Sequence, residues 1–141
     1  AGDDWHAAWQ TSVEGKELLN TERLVLRQKG ATVRMWNKEK SPENPQGGYL
    51  WEAQLQFFHG RDMMGWYFPK RSENNASKGI MFLNYNSSQK VFIGKWVGAA
   101  YDGPLSNGFV VISKERSMSL ENLQNILKNH PSEVSIISQI I

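Results

Sequence analysis

Eight short runs rich in apolar, β-branched and aromatic residues divide this sequence, and the breaks between them are rich in Gly, Asn, Asp, Pro and Ser. Those break residues are the ones that tight turns favour. Short runs at such spacing predict an antiparallel all-β meander, and about eight strands close into a barrel that side chains nearly fill. We therefore predict a small antiparallel up-and-down β-barrel over residues 3–116. The runs are Asp4–Gln10, Glu22–Lys29, Ala31–Trp36, Tyr49–Phe58, Met63–Phe68, Gly79–Tyr85, Val91–Ala100 and Gly108–Ser113.

The fourth run shows the period of a half-buried strand most clearly. Trp51, Ala53, Leu55 and Phe57 alternate with polar residues at the positions between them. Because successive strand residues point to opposite faces, one face is predicted to be packed and the other solvated.

Residues 117–141 follow a different pattern. Leu120, Leu123, Ile126 and Leu127 recur at helical spacing, and Pro131 follows. We predict one amphipathic helix, Ser119–Asn129, with Ser119 as its N-cap. The segment Glu133–Ile141 that follows is apolar and β-branched, which suits a final strand or a segment that docks on a partner.

A tryptophan in the seventh run lies between two glycines, in the order Gly94, Trp96 and Gly98. In a strand, all three residues would face the same side. Glycine weakens a strand interior, so its presence there requires a structural explanation. There are three such explanations. The glycines could leave room for an indole inside a tight barrel, allow the sheet to curve, or permit the close approach of a ligand. We expect Trp96 to fill the barrel interior.

The composition narrows the classes of function. The chain has 141 residues, a net charge of +2 and no cysteine. This charge is too small to predict binding to duplex nucleic acid, but it allows a local basic pocket. Without cysteine there is neither a disulfide framework nor a thiolate metal site. No apolar run approaches the length of a membrane-spanning helix, so the chain itself is expected to be soluble.

Catalytic patterns are absent from the sequence. His6, His59 and His130 lie far apart without metal-ligand spacing, and there is no nucleophile motif or phosphate-binding loop. We therefore predict that the protein is not an enzyme and uses no metal and no cofactor.

The chain has more aromatic residues than a minimal core requires, and arginines and lysines lie near the predicted strand ends. It contains 6 Trp, 6 Phe and 4 Tyr. Rings that stack and guanidinium groups that grip phosphate are what a nucleotide ligand needs. The candidate ligand-binding residues are Arg27, Arg34, Trp36, Arg61 and Tyr101.

The order of several segments resembles a known family. "DDWHAAW" is followed by "ERLVLRQKGATVRMW", "GYLWEAQLQFFHGRDMMGWYF", "GIMFLNYNSSQKVFIGKWVGAAYDG" and "NGFVVISKE". This order resembles the β-barrel receptor domain of the two-transmembrane effectors in bacterial cyclic-oligonucleotide antiphage systems, such as CBASS. The resemblance covers roughly Asp4 to Arg116, and "LRQKGATV" and "GKWVGAAYDG" are its most specific pieces.

The resemblance implies a sensor of a cyclic di- or trinucleotide, in an effector that acts at the bacterial inner membrane with its receptor domain facing the cytoplasm. The membrane segments of such an effector would lie outside this chain, and ligand binding would drive or silence homo-oligomerisation. Two alternatives remain on the residues alone. One is a lipocalin-like carrier of a small apolar ligand, and the other is a structural barrel that binds protein.

Overall fold

A computed structural model describes residues 2–13, 16–43, 49–70, 78–99 and 105–129. Tyr101 and the segment Glu133–Ile141 lie outside these described residues. The described residues form eight strands and one helix, in an order that matches the predicted runs. They are β1 (Gly2–Val13), β2 (Lys16–Lys29), β3 (Thr32–Asn37), β4 (Trp51–Phe58), β5 (Asp62–Pro69), β6 (Lys78–Asn86), β7 (Val91–Ala99), β8 (Leu105–Ser113) and α1 (Arg116–Asn129).

Each strand pairs antiparallel with the next, and β1 pairs with β8 to close the barrel. This confirms the predicted all-β, up-and-down barrel of eight strands with one C-terminal helix. The strands β1 and β2 are longer than predicted, with 12 and 14 residues. Their sequence around Lys16–Thr21 is polar enough to read as a break, although it continues the ladder with β1.

Alternation along the strands separates the barrel interior from its outer wall. In β4, Trp51, Ala53 and Leu55 are buried, while Gln54 and Gln56 are exposed. The interior forms one apolar cluster with contributions from all eight strands. The packed and solvated faces predicted for this run are therefore confirmed.

Trp96 is buried, as predicted, and it closes a seam in the barrel. The ladder between β1 and β8 ends at the pair Trp9 and Val110. Beyond that pair, the Trp96 indole N–H donates to the Gln10 carbonyl at 3.0 Å, and the Phe109 N–H donates to the Gln10 side-chain Oε1, also at 3.0 Å. Two side chains thus continue the hydrogen bonding that the backbones of β1 and β8 no longer supply.

The glycine that makes room for this indole lies on the neighbouring strand. Gly108 pairs with Trp96, and a Cβ on Gly108 would lie 2.8 Å from Trp96 Nε1 and would collide with the Gln10 carbonyl. Gly94 has another role, because a Cβ there would collide with the Phe82 carbonyl of β6. Gly94 therefore permits a close approach of β6 and β7 rather than supplying room for the Trp96 ring.

The helix α1 packs on the outside of the barrel against β1 and β8. Leu123 is fully buried in a second apolar cluster with Ala8, Val91 and Val111. The helix begins at Arg116, so the predicted start at Ser119 is wrong. Ser119 is not an N-cap: it is buried within α1, where its hydroxyl contacts the Ser113 hydroxyl at 2.6 Å and donates to the His6 carbonyl at 2.8 Å.

Within the described parts of the chain, no helix has both the length and the apolar character that crossing a membrane requires. The proposed division into residues 3–116 and 117–141 stays a prediction.

Candidate functional site

One end of the barrel, here called the mouth, gathers several turns. Because neighbouring strands run in opposite directions, the turns β2–β3, β4–β5 and β6–β7 lie at the same end as the start of β1 and the end of β8. A pocket of about 310 Å³ opens there. This size lies at the small end of the ~300–1,000 Å³ range of ligand pockets.

Aromatic rings dominate the wall of the mouth pocket. Trp5, Phe57, Tyr85 and Phe92 line it, from four different strands. The Phe92 ring centroid lies 4.8 Å from that of Tyr85 and 6.0 Å from that of Trp5, with tilted planes. Tilted rings at such distances are a favourable aromatic arrangement, so they form a stable wall.

The deeper lining of the pocket is aliphatic. Leu26 and Val33 come from β2 and β3, and Met63 comes from β5; all three are buried. The lining is thus suited to a flat or apolar group rather than to a charged one.

Trp5 carries a polar group that the described residues leave unsatisfied. Its indole Nε1 is buried and has no hydrogen-bond partner among the described residues. A buried donor without an acceptor costs free energy, so it requires an explanation. Trp5 also lines the pocket, so a small rearrangement that exposed this N–H would let it donate to an acceptor atom on a bound ligand.

Two cationic side chains border the mouth pocket. The Lys114 Nζ lies 4.5 Å from the centroid of the Trp5 ring. Arg61 follows Gly60, which itself lines the pocket. The Arg61 Nη2 donates to the Tyr85 carbonyl at 3.3 Å, and the Tyr85 N–H donates to the Arg61 carbonyl at 3.0 Å. These bonds hold Arg61 beside the backbone of Tyr85, a residue that lines the pocket.

The turns at the mouth add further positive charge. Lys29 and Lys90 are exposed there, and Lys90 has a positive φ of 59° in the β6–β7 turn. The acidic side chains at this end are partly engaged, since Asp62 accepts a hydrogen bond from Asn84, and Asp4 pairs with Arg23 at 3.8 Å. The mouth therefore combines an apolar pocket with a rim of mixed charge on which basic side chains outnumber acidic ones.

The barrel interior also holds a buried carboxyl group, that of Glu22. The Asn37 Nδ2 donates to it at 2.7 Å, and the Trp51 Nε1 lies 3.1 and 3.2 Å from its two oxygens. Burial raises the pKa of Glu22 to about 7, and these donors oppose the rise. The nearby Trp9 indole also favours the ionised carboxylate, although no hydrogen bond of ordinary geometry joins the two. Sequence reasoning missed this group, although alternation with Leu24 and Leu26 places Glu22 on the interior face.

The sequence-predicted ligand residues lie in two separate places. Arg27, Arg34 and Trp36 are on the outer wall of β2 and β3, where Arg27 pairs with Arg34 across the ladder. The Arg34 guanidinium lies 5.6 Å from the Trp36 ring, in a cation–π contact. Arg61 is at the mouth, and Tyr101 lies outside the described residues. The described residues of the set therefore do not form one pocket.

The pocket residues that sequence reasoning missed come from distant parts of the chain. The sequence did not mark Trp5, Phe57, Tyr85, Phe92 or Lys114 as ligand-binding residues. Only the registers of the strands bring these residues to the same end of the barrel. The one available signal was position, because each lies within a few residues of a predicted break.

Among the described residues, no group of three or more His, Asp or Glu side chains is placed to hold a metal ion. Comparison with known proteins gave no match to a family model, to a curated protein or to a solved structure.

Proposed function

We propose that the protein is a ligand receptor whose barrel mouth takes a flat ring of a small anionic molecule, and that this molecule is a cyclic di- or trinucleotide. The observation that carries the proposal is the aromatic pocket with Lys114 and Arg61 at its border. Aromatic walls stack on any nucleobase, and cationic side chains attract the phosphates attached to it.

The size of the pocket fits partial entry of such a ligand. A volume of about 310 Å³ is small for a whole cyclic dinucleotide. We infer that one base enters between the rings while the phosphates remain at the rim, near Arg61 and Lys114. A base also carries ring nitrogens and carbonyl oxygens, which could accept the unpartnered Trp5 N–H.

The proposed biological role rests on the sequence resemblance. In that role the barrel is the receptor domain of an antiphage effector at the bacterial inner membrane. It would bind the cyclic oligonucleotide without chemical turnover, and membrane segments outside this chain would carry the response.

A second candidate, a carrier of a small uncharged apolar ligand, is favoured by the aliphatic lining. Leu26, Val33 and Met63 offer nothing that selects for charge. The two candidates differ in how binding depends on salt, because phosphate contacts are screened and apolar burial is not.

Calorimetric titration at two salt concentrations separates the candidates. Cyclic di- and trinucleotides are the anionic probes, and the neutral dye Nile red is the apolar probe. Lys114→Gln and Arg61→Gln should each weaken nucleotide binding by roughly ten- to a hundredfold, since a hydrogen bond to a charged group contributes ~1.5–3 kcal/mol and ~1.4 kcal/mol is tenfold. Lys128→Gln changes an exposed lysine of α1 away from the mouth; it is the matched control and should bind like wild type.

Three results would change the proposal. If no cyclic nucleotide binds while Nile red binds independently of salt, the carrier function replaces the sensor function. If neither probe binds, both functions fail. If nucleotide binding is weakened by Arg27→Ala or Arg34→Ala but not by the mouth variants, the site lies on the outer wall instead.

A further inference from the structure

Two turns at the mouth hold a basic residue in a backbone conformation that suits glycine. His59, in the β4–β5 turn, has a φ of 54°, and Lys90, in the β6–β7 turn, has a φ of 59°. Both values lie in the left-handed region, which is unfavourable for a residue with a Cβ. Among the described residues, these two are the only ones other than glycine with a positive φ, and both carry a basic side chain.

Other residues would occupy these two positions with less strain. Hairpin turns that need a positive φ favour Gly, Asn or Asp there. The chain itself uses glycine in this way, since Gly60 has a φ of 75° and Gly30, in the β2–β3 turn, a φ of 62°. Strained backbone positions are concentrated at ligand-binding sites. The presence of histidine and lysine therefore calls for a role of their side chains.

Contacts within the protein do not supply that role. The His59 and Lys90 side chains are both exposed, and no hydrogen bond or ion pair joins either of them to another described residue. The β6–β7 turn is fixed instead by Asn86, whose Oδ1 accepts from the Ser88 N–H at 3.1 Å and the Gln89 N–H at 3.2 Å. The turn thus forms without help from the lysine ammonium group.

Both basic residues lie beside the mouth pocket. His59 immediately precedes a glycine that lines the pocket, and Lys90 lies two residues before Phe92, which also lines it. The segments that carry them are joined, because the Tyr85 N–H donates to the Arg61 carbonyl at 3.0 Å and the Arg61 Nη2 donates to the Tyr85 carbonyl at 3.3 Å. The two basic side chains therefore extend from neighbouring turns at the pocket entrance.

We propose that His59 and Lys90 bind the anionic group of the ligand that occupies the mouth pocket. The inference rests on the function proposed for the mouth, and it assigns an anionic rather than an uncharged ligand to this site. An imidazole N–H and an ammonium group both donate to phosphate oxygens. Asp62, the acidic residue that follows the β4–β5 turn, is bonded to Asn84 and not to either basic group.

Substitution by glycine tests the proposal, because it removes the side chain and the strain together. His59→Gly and Lys90→Gly should each raise the Tm by about 2–4 °C. The same variants should weaken binding of whichever member of a panel of cyclic di- and trinucleotides binds wild type most tightly. Calorimetric titration should show a loss of about tenfold for Lys90→Gly, equivalent to ~1.4 kcal/mol. The loss for His59→Gly should be smaller, because a neutral donor forms the weaker hydrogen bond.

Two further variants separate the charge from the backbone. Lys90→Asn keeps a residue that tolerates a positive φ but removes the ammonium group, so it should bind as weakly as Lys90→Gly. Lys128→Gln, which changes an exposed lysine of α1, is the control and should leave both the Tm and binding unchanged.

The outcomes distinguish this inference from the function on which it rests. If wild type binds a cyclic nucleotide and both glycine variants bind it equally tightly, the inference is overturned while the proposed function stands. If wild type binds none of the panel, the proposed function fails and the inference fails with it. Glycine variants with a lower Tm than wild type would also overturn the inference, because the two side chains would then serve the fold.

Discussion

Trp96 shows how one residue can complete a barrel where its backbone ladder stops. Its ring is buried in the interior, and its N–H satisfies a carbonyl of β1 that β8 no longer reaches. Burial of the ring and the hydrogen bond at the seam are separate contributions to stability. Two substitutions can therefore distinguish them.

We predict that Trp96→Ala lowers the free energy of unfolding by ~3–5 kcal/mol, the usual cost of emptying a large aromatic site. Trp96→Phe should cost less than Trp96→Ala. It should still lower the free energy of unfolding by ~1–3 kcal/mol, because the buried Gln10 carbonyl loses its hydrogen-bond donor. Urea unfolding measures both. A Trp96→Phe protein as stable as wild type would show that the seam bond contributes nothing.

Glu22 gives the interior a pH-dependent group. Its pKa is raised by burial to about 7 from an ordinary value of 4.5. Between these two values the folded protein keeps a proton that the unfolded chain releases. The stability that this group contributes is therefore full below pH 4.5 and is lost as the pH rises toward 7.

Glu22→Gln should remove this dependence, because glutamine stays neutral at every pH. The difference in unfolding free energy between variant and wild type should change by about 1 kcal/mol per pH unit between pH 5 and 7. Taking the difference also cancels His6, whose pKa is lowered by burial and which gives the opposite slope. A difference that does not vary with pH would contradict the raised pKa.

At the scale of elements, α1 is anchored by a buried serine as well as by its apolar face. Ser119 donates to His6 of β1 and contacts Ser113 of β8, so one hydroxyl joins the helix to both strands. The apolar spacing predicted a helix here, but it did not predict that a serine inside the helix would be its point of attachment.

We predict that Ser119→Ala destabilises the protein by ~1–3 kcal/mol, since it leaves buried groups without partners. Ser117→Ala is the matched control, because Ser117 lies in the same helix turn but is exposed. It should change the stability by less than ~0.5 kcal/mol. Thermal or urea unfolding of the pair checks this, and equal effects from both substitutions would contradict the anchoring role.

At the scale of the whole molecule, the sequence predicted the fold much better than the site. Strands follow from local alternation, which is visible in residues such as Trp51 to Leu55. A site at one end of a barrel depends on strand registers, which place Trp5, Tyr85 and Phe92 together although they are far apart in the chain. Arg27 and Arg34 were candidate ligand residues, but the same alternation that buries Leu26 and Val33 turns both arginines to the outer wall, where they pair across the ladder.

The mouth of the barrel, and not its outer wall, is the proposed binding site for the ligand. The six tryptophan indole N–H groups report on this directly, because Trp5 lines the pocket and Trp36 stands beside Arg34 on the outer wall. The decisive measurement is a two-dimensional ¹⁵N–¹H spectrum during titration with a cyclic dinucleotide, with the two signals assigned through Trp5→Phe and Trp36→Phe. We expect the Trp5 indole signal to shift in a saturable way as its N–H gains an acceptor, while the Trp36 signal stays in place. A saturable shift of Trp36 without one of Trp5, or no shift of any indole signal, would contradict it.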